Sequence, residues 1–172
     1  MMILNSTDDD IDTIFQLYHV ATEHQKKLAP KHWKGFEREL IEKEITEKRH
    51  WKIIDEDQLA CTFATTFNDA LIWGEKDHQP SLYIHRIATH ADFRGRYYVS
   101  RIIEWAKAFA RANGRGLIRM DTGSGNEKLN KYYIRCGFEY LGIVKLGDAG
   151  DLPEHYQNGS FSLFEMQVGE GS

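Results

Sequence analysis

Residues 82–112 change their hydrophobic period once, and that change constrains the fold more than any other feature. An apolar run at 82–88 has strand length. Val99, Ile102, Ile103, Ala106, Phe109 and Ala110 then recur at helical spacing, and Asn113-Gly114 closes the helix. A further strand is predicted at 117–121. A crossover through the intervening helix makes these two strands parallel. Between strand and helix lies FRGRYYVS, residues 93–100. A helix start offers unpaired N–H groups and a partial positive charge, which suit a phosphate, and Arg94 and Arg96 add formal charge. Any loop before a helix can carry arginines, however, and this one has only Gly95. Alone, it reads as an anion-binding turn or as an ordinary one.

The remaining elements follow from pattern. A short strand is predicted at 2–4. Ser6 and Thr7, followed by Asp8, Asp9 and Asp10, mark a helix start, with Ile11, Ile14, Phe15 and Tyr18 at helical spacing. Pro30 ends or interrupts that region. A second helix is predicted over 36–48. Strands at 51–54 and 59–67 join at Asp55-Glu56-Asp57-Gln58, with Leu59, Cys61, Phe63 and Thr65 on one face. Residues 68–80 read as a loop holding Leu71, Ile72 and Trp73, either packed on the core or serving as a substrate-side lid. A helix at 126–135, strands at 138–146 and 160–168, and a turn-rich connection at 147–159 complete the chain. The expected fold is α/β (α+β): a mixed, mostly antiparallel central sheet flanked by helices on both faces, in a single domain spanning residues 1–172.

Composition excludes several classes. The net charge of −4 argues against a nucleic-acid or membrane-surface protein. No stretch approaches ~18 consecutive apolar residues, so no transmembrane helix is expected. The N-terminal MMILNSTDDD lacks the pattern of a secretory signal. Cys61 and Cys136, far apart in sequence, read as reduced thiols, and the expected location is cytoplasmic. His19 and His24 are five apart, a poor helical ligand pair, and no metal site is expected.

A second stretch decides between the readings of the loop. Residues 126–138, NEKLNKYYIRCGF, place Asn126, Leu129, Tyr132, Tyr133, Gly137 and Phe138 in the order Asn-x-x-(small)-x-x-(apolar)-Tyr-x-x-x-Gly-Phe. With IATHADFRG and the following helix upstream, the chain resembles the GNAT family of N-acetyltransferases, which use acetyl-CoA. The motif resemblance spans 82–142, and the order of elements extends it over nearly the whole chain. The family's loop pattern, Arg/Gln-x-x-Gly-x-Gly/Ala, is met only in part: Arg94 matches, but Tyr97 and Val99 stand at the glycine positions.

The resemblance implies an acyl-CoA N-acyltransferase fold and an acetyl-CoA-dependent N-acetyltransferase acting by direct attack of a primary amine, with a backbone N–H of the 82–89 strand stabilising the developing oxyanion. It implies acetyl-CoA as acetyl donor, a small-molecule or peptide amine as acceptor, and a possible homodimer. The strands at 82–89 and 117–121 would splay apart, freeing backbone groups of Ile87 and Thr89 for the pantetheine arm. The pyrophosphate would lie over the amides of Arg94, Gly95, Arg96, Tyr97, Tyr98, Val99 and Ser100, provided that Tyr97 and Val99 donate from helical angles with their side chains turned away. Tyr133 would protonate the departing thiolate, and Asn126 would cap its helix and bond the pantetheine arm.

The acceptor side is less defined. By strict alternation Tyr83, His85, Ile87 and Thr89 share one face, and His85 is the candidate general base. Asp121 is read as a turn former or as a contact for the substrate ammonium. Trp33, Phe36, Trp73 and the 147–159 connection would border the acceptor, and Asp69, Glu75, Asp77 and Asp148 would suit a cationic amine. The alternative function is a non-catalytic acyl-CoA-binding or sensor domain on the same fold.

Overall fold

The computed structural model describes residues 1–29, 31–146 and 159–169. The elements are β1 (Met2–Asn5), α1 (Ile11–Leu28), α2 (Arg38–Thr46), β2 (His50–Asp55), β3 (Gln58–Thr66), α3 (Ala70–Trp73), β4 (Ser81–Thr89), α4 (Tyr98–Ala112), β5 (Leu117–Gly123), α5 (Glu127–Arg135), β6 (Glu139–Lys145) and β7 (Ser160–Gln167). The seven strands form one sheet in the order β1-β2-β3-β4-β5-β7-β6. Every pairing is antiparallel except β4 with β5, the pair joined through α4. The mixed, mostly antiparallel sheet expected from the sequence is therefore present. The turn-rich connection, with Asp148, lies outside the described residues apart from Gly159.

Apolar periodicity sets the layers. Ile102, Ile103, Ala106 and Ala110 of α4 and Tyr133 of α5 pack with Leu82, Ile84, Ile118 and Phe164 on one face of the sheet. Ile14, Leu17 and Tyr18 of α1 and Ile41 of α2 pack on the other, with Ala88. Residues 68–80 are more ordered than a loop. They form α3 and a 3-10 turn (Gly74–His78), and Ile72 and Trp73 are buried against Tyr83, Phe161 and Leu163. This segment packs on the core.

Two bulges overturn the strict alternation expected from the sequence. In β3 the register steps from Ile53↔Cys61 to Ile54↔Leu59, so Ala60 is an extra residue. Cys61 and Phe63 stay in the α4 layer, while Leu59 packs in the α1 layer. In β4 the register steps from Ala64↔His85 to Thr62↔Ala88, which puts three residues opposite two, and Arg86 takes a φ of 52°. Tyr83 and His85 therefore do not share a face with Ile87 and Thr89. Tyr83 packs with α3, whereas Ile87 packs into the α4 layer and Thr89 reaches Cys61 there.

Left-handed angles at a non-glycine cost about 1–2 kcal/mol. The Arg86 side chain offsets this. It pairs with Glu44 of α2, donates to the Tyr18 hydroxyl at 3.1 Å and lies 5.2 Å over the Phe36 ring. The side chains of the pair are only 9% and 3% exposed. Glu44→Ala would remove the carboxylate of a buried ion pair and is expected to cost about 3–5 kcal/mol in urea unfolding. Glu23→Ala, which breaks the exposed Lys26 pair, should cost under about 1 kcal/mol.

Candidate active site

β4 pairs with β5 only over its first three residues, Ser81↔Leu117 to Tyr83↔Arg119. β5 then continues along β7 as far as Gly123↔Phe161, and β4 along β3 as far as Thr89. From Ile84 onward the facing edges of β4 and β5 are unpaired, and a cavity of about 770 Å³ opens between them. His85, Ile87, Thr89, Arg94, Asn126 and Tyr133 all line it. Gly95, Arg96, Tyr97, Tyr98, Val99 and Ser100 do not line it, but form the turn that leads from Arg94 into α4.

In that turn no backbone N–H from residue 95 to residue 100 donates to a described residue, and no side chain caps α4. Six successive amides are thus free for an anion at a helix start. Tyr97 does not use helical angles as expected: its φ of 61° and ψ of 38° are left-handed, the conformation that glycine takes without cost. Its ring is 71% exposed. Val99 packs against the core, and the buried Tyr98 donates to Asp55 at 2.6 Å. Arg96 adds no free charge to the turn, because it lies 4.5 Å over Phe93 and pairs with Glu56 and Asp55. Arg94 has no carboxylate partner among the described residues.

Tyr133 is held by Phe138 and Phe164, with ring centroids 6.1 and 5.3 Å away. Burial, then the neighbouring Tyr132 and Cys136, push its hydroxyl above the ordinary tyrosine range. The hydroxyl stays protonated and finds no hydrogen-bond partner among the described residues. Asn126 caps α5, its Oδ1 accepting from Leu129 N at 3.1 Å.

His85, Asp69 and Asp121 form a cluster at the cavity, their donor atoms all within 4.8 Å of one another. Asp69 Oδ2 accepts from His85 Nε2 at 2.9 Å. Burial opposes charging of the ring, but the Asp69 hydrogen bond and charge outweigh it, with help from Asp121, and the net shift is upward. Asp121 sits in β5 and not in a turn. Burial raises its pKa to about 6, with His85 opposing and Asp69 adding to the rise. Asp69 as the partner of His85 was not legible in the sequence. It lies 16 residues away, beyond a loop whose packing no local pattern encodes.

The site is thus a parallel pair that parts over a turn of free amides, with a tyrosine and a histidine in the gap. The acetyltransferase (GNAT) family profile matches residues 11–138. The chain belongs to this family of acetyl-CoA-dependent N-acetyltransferases. It is 27% identical over 147 residues to an uncharacterized N-acetyltransferase of Bacillus subtilis (strain 168), covering 81% of this chain and 82% of that one. A GNAT-family acetyltransferase structure from Streptococcus agalactiae shares the fold with a TM-score of 0.76 at 21% identity, covering 99% of this chain and 96% of that one. A structure from Salmonella typhimurium, solved with its cofactor acetyl-CoA, shares it with a TM-score of 0.68 at 11% identity, covering 100% and 96%.

Two outcomes follow. Tyr97→Gly should unfold at the same or higher urea concentration, because relief of about 1–2 kcal/mol of left-handed strain offsets about 0.5–1 kcal/mol of glycine entropy. For Asp121 the folded pKa lies above the unfolded one. Its ionisation therefore costs stability as pH rises from about 4 through 6. Asp121→Asn should stabilise the protein at pH 8 by about 1–3 kcal/mol, and the gain should vanish near pH 4.

Proposed function

We propose that the chain acetylates a primary amine by direct attack, with the donor lying along the open edge of β4. The observation that carries this reading is the cavity at the β4–β5 divergence, which joins the free amides of the 95–100 turn to Tyr133 and His85. The residues present fit acetyl-CoA: six amides and Arg94 suit the pyrophosphate, and the unpaired edge at Ile87 and Thr89 suits an amide-bearing arm, with Asn126 nearby. When bound, acetyl-CoA supplies an acetyl thioester, and the net change is a new C–N bond in place of the C–S bond.

This chain's residues manage the protons. A primary amine is protonated at neutral pH and must lose a proton before it attacks. His85, held through Nε2 by Asp69, offers Nδ1 as acceptor. Tyr133 donates to the departing thiolate. A phenol of pKa ~10 or higher gives little full transfer to a thiolate whose acid has pKa ~8.5, so its contribution is a hydrogen bond that strengthens as charge grows. The acceptor is a small molecule or a peptide, approaching from the face that holds Trp33 and Phe36. Two free thiols, Cys61 and Cys136, support a reducing cytoplasmic setting. No described helix is long and apolar enough to cross a membrane.

Acetyl-CoA should raise the melting temperature, and thiol release with an amine panel should fall about 10²–10³-fold in Tyr133→Phe. Binding with turnover unchanged in Tyr133→Phe would remove Tyr133 from the chemistry. Wild-type kcat/KM should rise with pH across an ionisation above 6.5, as His85 deprotonates, and that ionisation should move down in Asp69→Asn.

A further inference from the structure

The cavity at the β5 end is bordered by an anion and a cation, neither of which forms an ion pair with a described residue. Asp121 borders the cavity, and its carboxylate has no hydrogen bond or ion pair with a described residue. Lys31, in the segment between α1 and α2, lies over the end of the strand, its Cβ 3.3 Å from the position a Gly123 Cβ would take. Lys31 Nζ donates to Ser124 Oγ at 2.6 Å, to the Ser160 carbonyl at 3.3 Å and to the Ser160 hydroxyl. All these partners are uncharged, and Lys31 too borders the cavity.

Both charges border one cavity, so a single ligand can meet the two. A carboxylate-free amine would satisfy Asp121 and leave Lys31 with only uncharged partners among the described residues, whereas a zwitterion meets both charges.

We propose that the acceptor is an amino acid zwitterion, its ammonium held by Asp121 beside His85 and its carboxylate by Lys31 with the Ser160 hydroxyl. This rests on the N-acetyltransferase reading above. It makes Lys31 the residue that separates amino acids from simple amines. In the transfer, the ammonium gives one proton to His85, its nitrogen forms the C–N bond as the C–S bond breaks, and the second proton of the nitrogen ends on the departing thiolate, giving the free thiol. Lys31 binds the acceptor's carboxylate and exchanges no proton.

The test is thiol release from acetyl-CoA with the twenty common L-amino acids, each active one compared with its carboxamide and its decarboxylated amine. At least one amino acid should exceed both analogues by tenfold or more in kcat/KM. Lys31→Met should raise KM for that amino acid at least tenfold with little change in kcat, and should erase the preference over the carboxamide. Lys31→Arg should retain it. In CoA-saturated protein the same amino acid should raise the melting temperature of the wild type and not of Lys31→Met. The proposal is overturned if no amino acid is acetylated, if the carboxamide or the amine serves as well, or if Lys31→Met keeps the preference. Failure of acetyl-CoA to shift the wild-type melting temperature would sink the underlying reading instead, so the two failures are distinguishable.

Discussion

The early parting of β4 from β5 is the constraint on which the rest depends. Two parallel strands that stayed paired to their ends would close the sheet and leave no room between α1 and α5. They part because each is held elsewhere. β5 follows β7 over its whole length, while β4 follows β3 through a bulge at Arg86. The bulge takes left-handed angles at a non-glycine, and the buried Arg86–Glu44 pair ties that residue to α2. The α1–α2 layer thus positions the site even where its residues touch no substrate.

The same divergence sorts the chemistry by face. On the α4 side lie the turn of free amides, Ile87, Thr89 and Tyr133. Tyr83 and Asp121 share the other side with α3, and there His85 meets Asp69. In the proposed reaction the donor occupies the first side and the acceptor the second, and the two meet only in the gap between the strands. Strict alternation would have mixed these sets, so the inserted residue at Arg86 is what separates donor groups from acceptor groups.

Much of this was legible in the sequence, and the part that was not has physical causes. Periodicity located every strand and the helices α1, α2, α4 and α5, because each buries one face against a neighbour. Asn126 and Gly137 marked the ends of α5, since capping and left-handed exits have strong residue preferences. The bulges at Ala60 and Arg86 were not legible: neither residue is a glycine or a proline, and one inserted residue changes the face without changing composition. The left-handed turn at Tyr97 was hidden for the same reason. The His85–Asp69 contact depends on how residues 68–80 fold back, which is tertiary packing. The missing glycines of the loop, by contrast, alter little in the backbone, since Tyr97 takes the left-handed angles itself and turns its ring to solvent.

The central claim is that the gap between β4 and β5, with the amides of the 95–100 turn, is where the acetyl donor binds. A crystal structure of the protein with CoA tests this most directly. The account predicts pyrophosphate oxygens within about 3 Å of several of the six amide nitrogens, with the sulfur beside the Tyr133 hydroxyl. CoA bound outside the gap, or a turn whose amides are filled by the protein itself while CoA lies elsewhere, would contradict it.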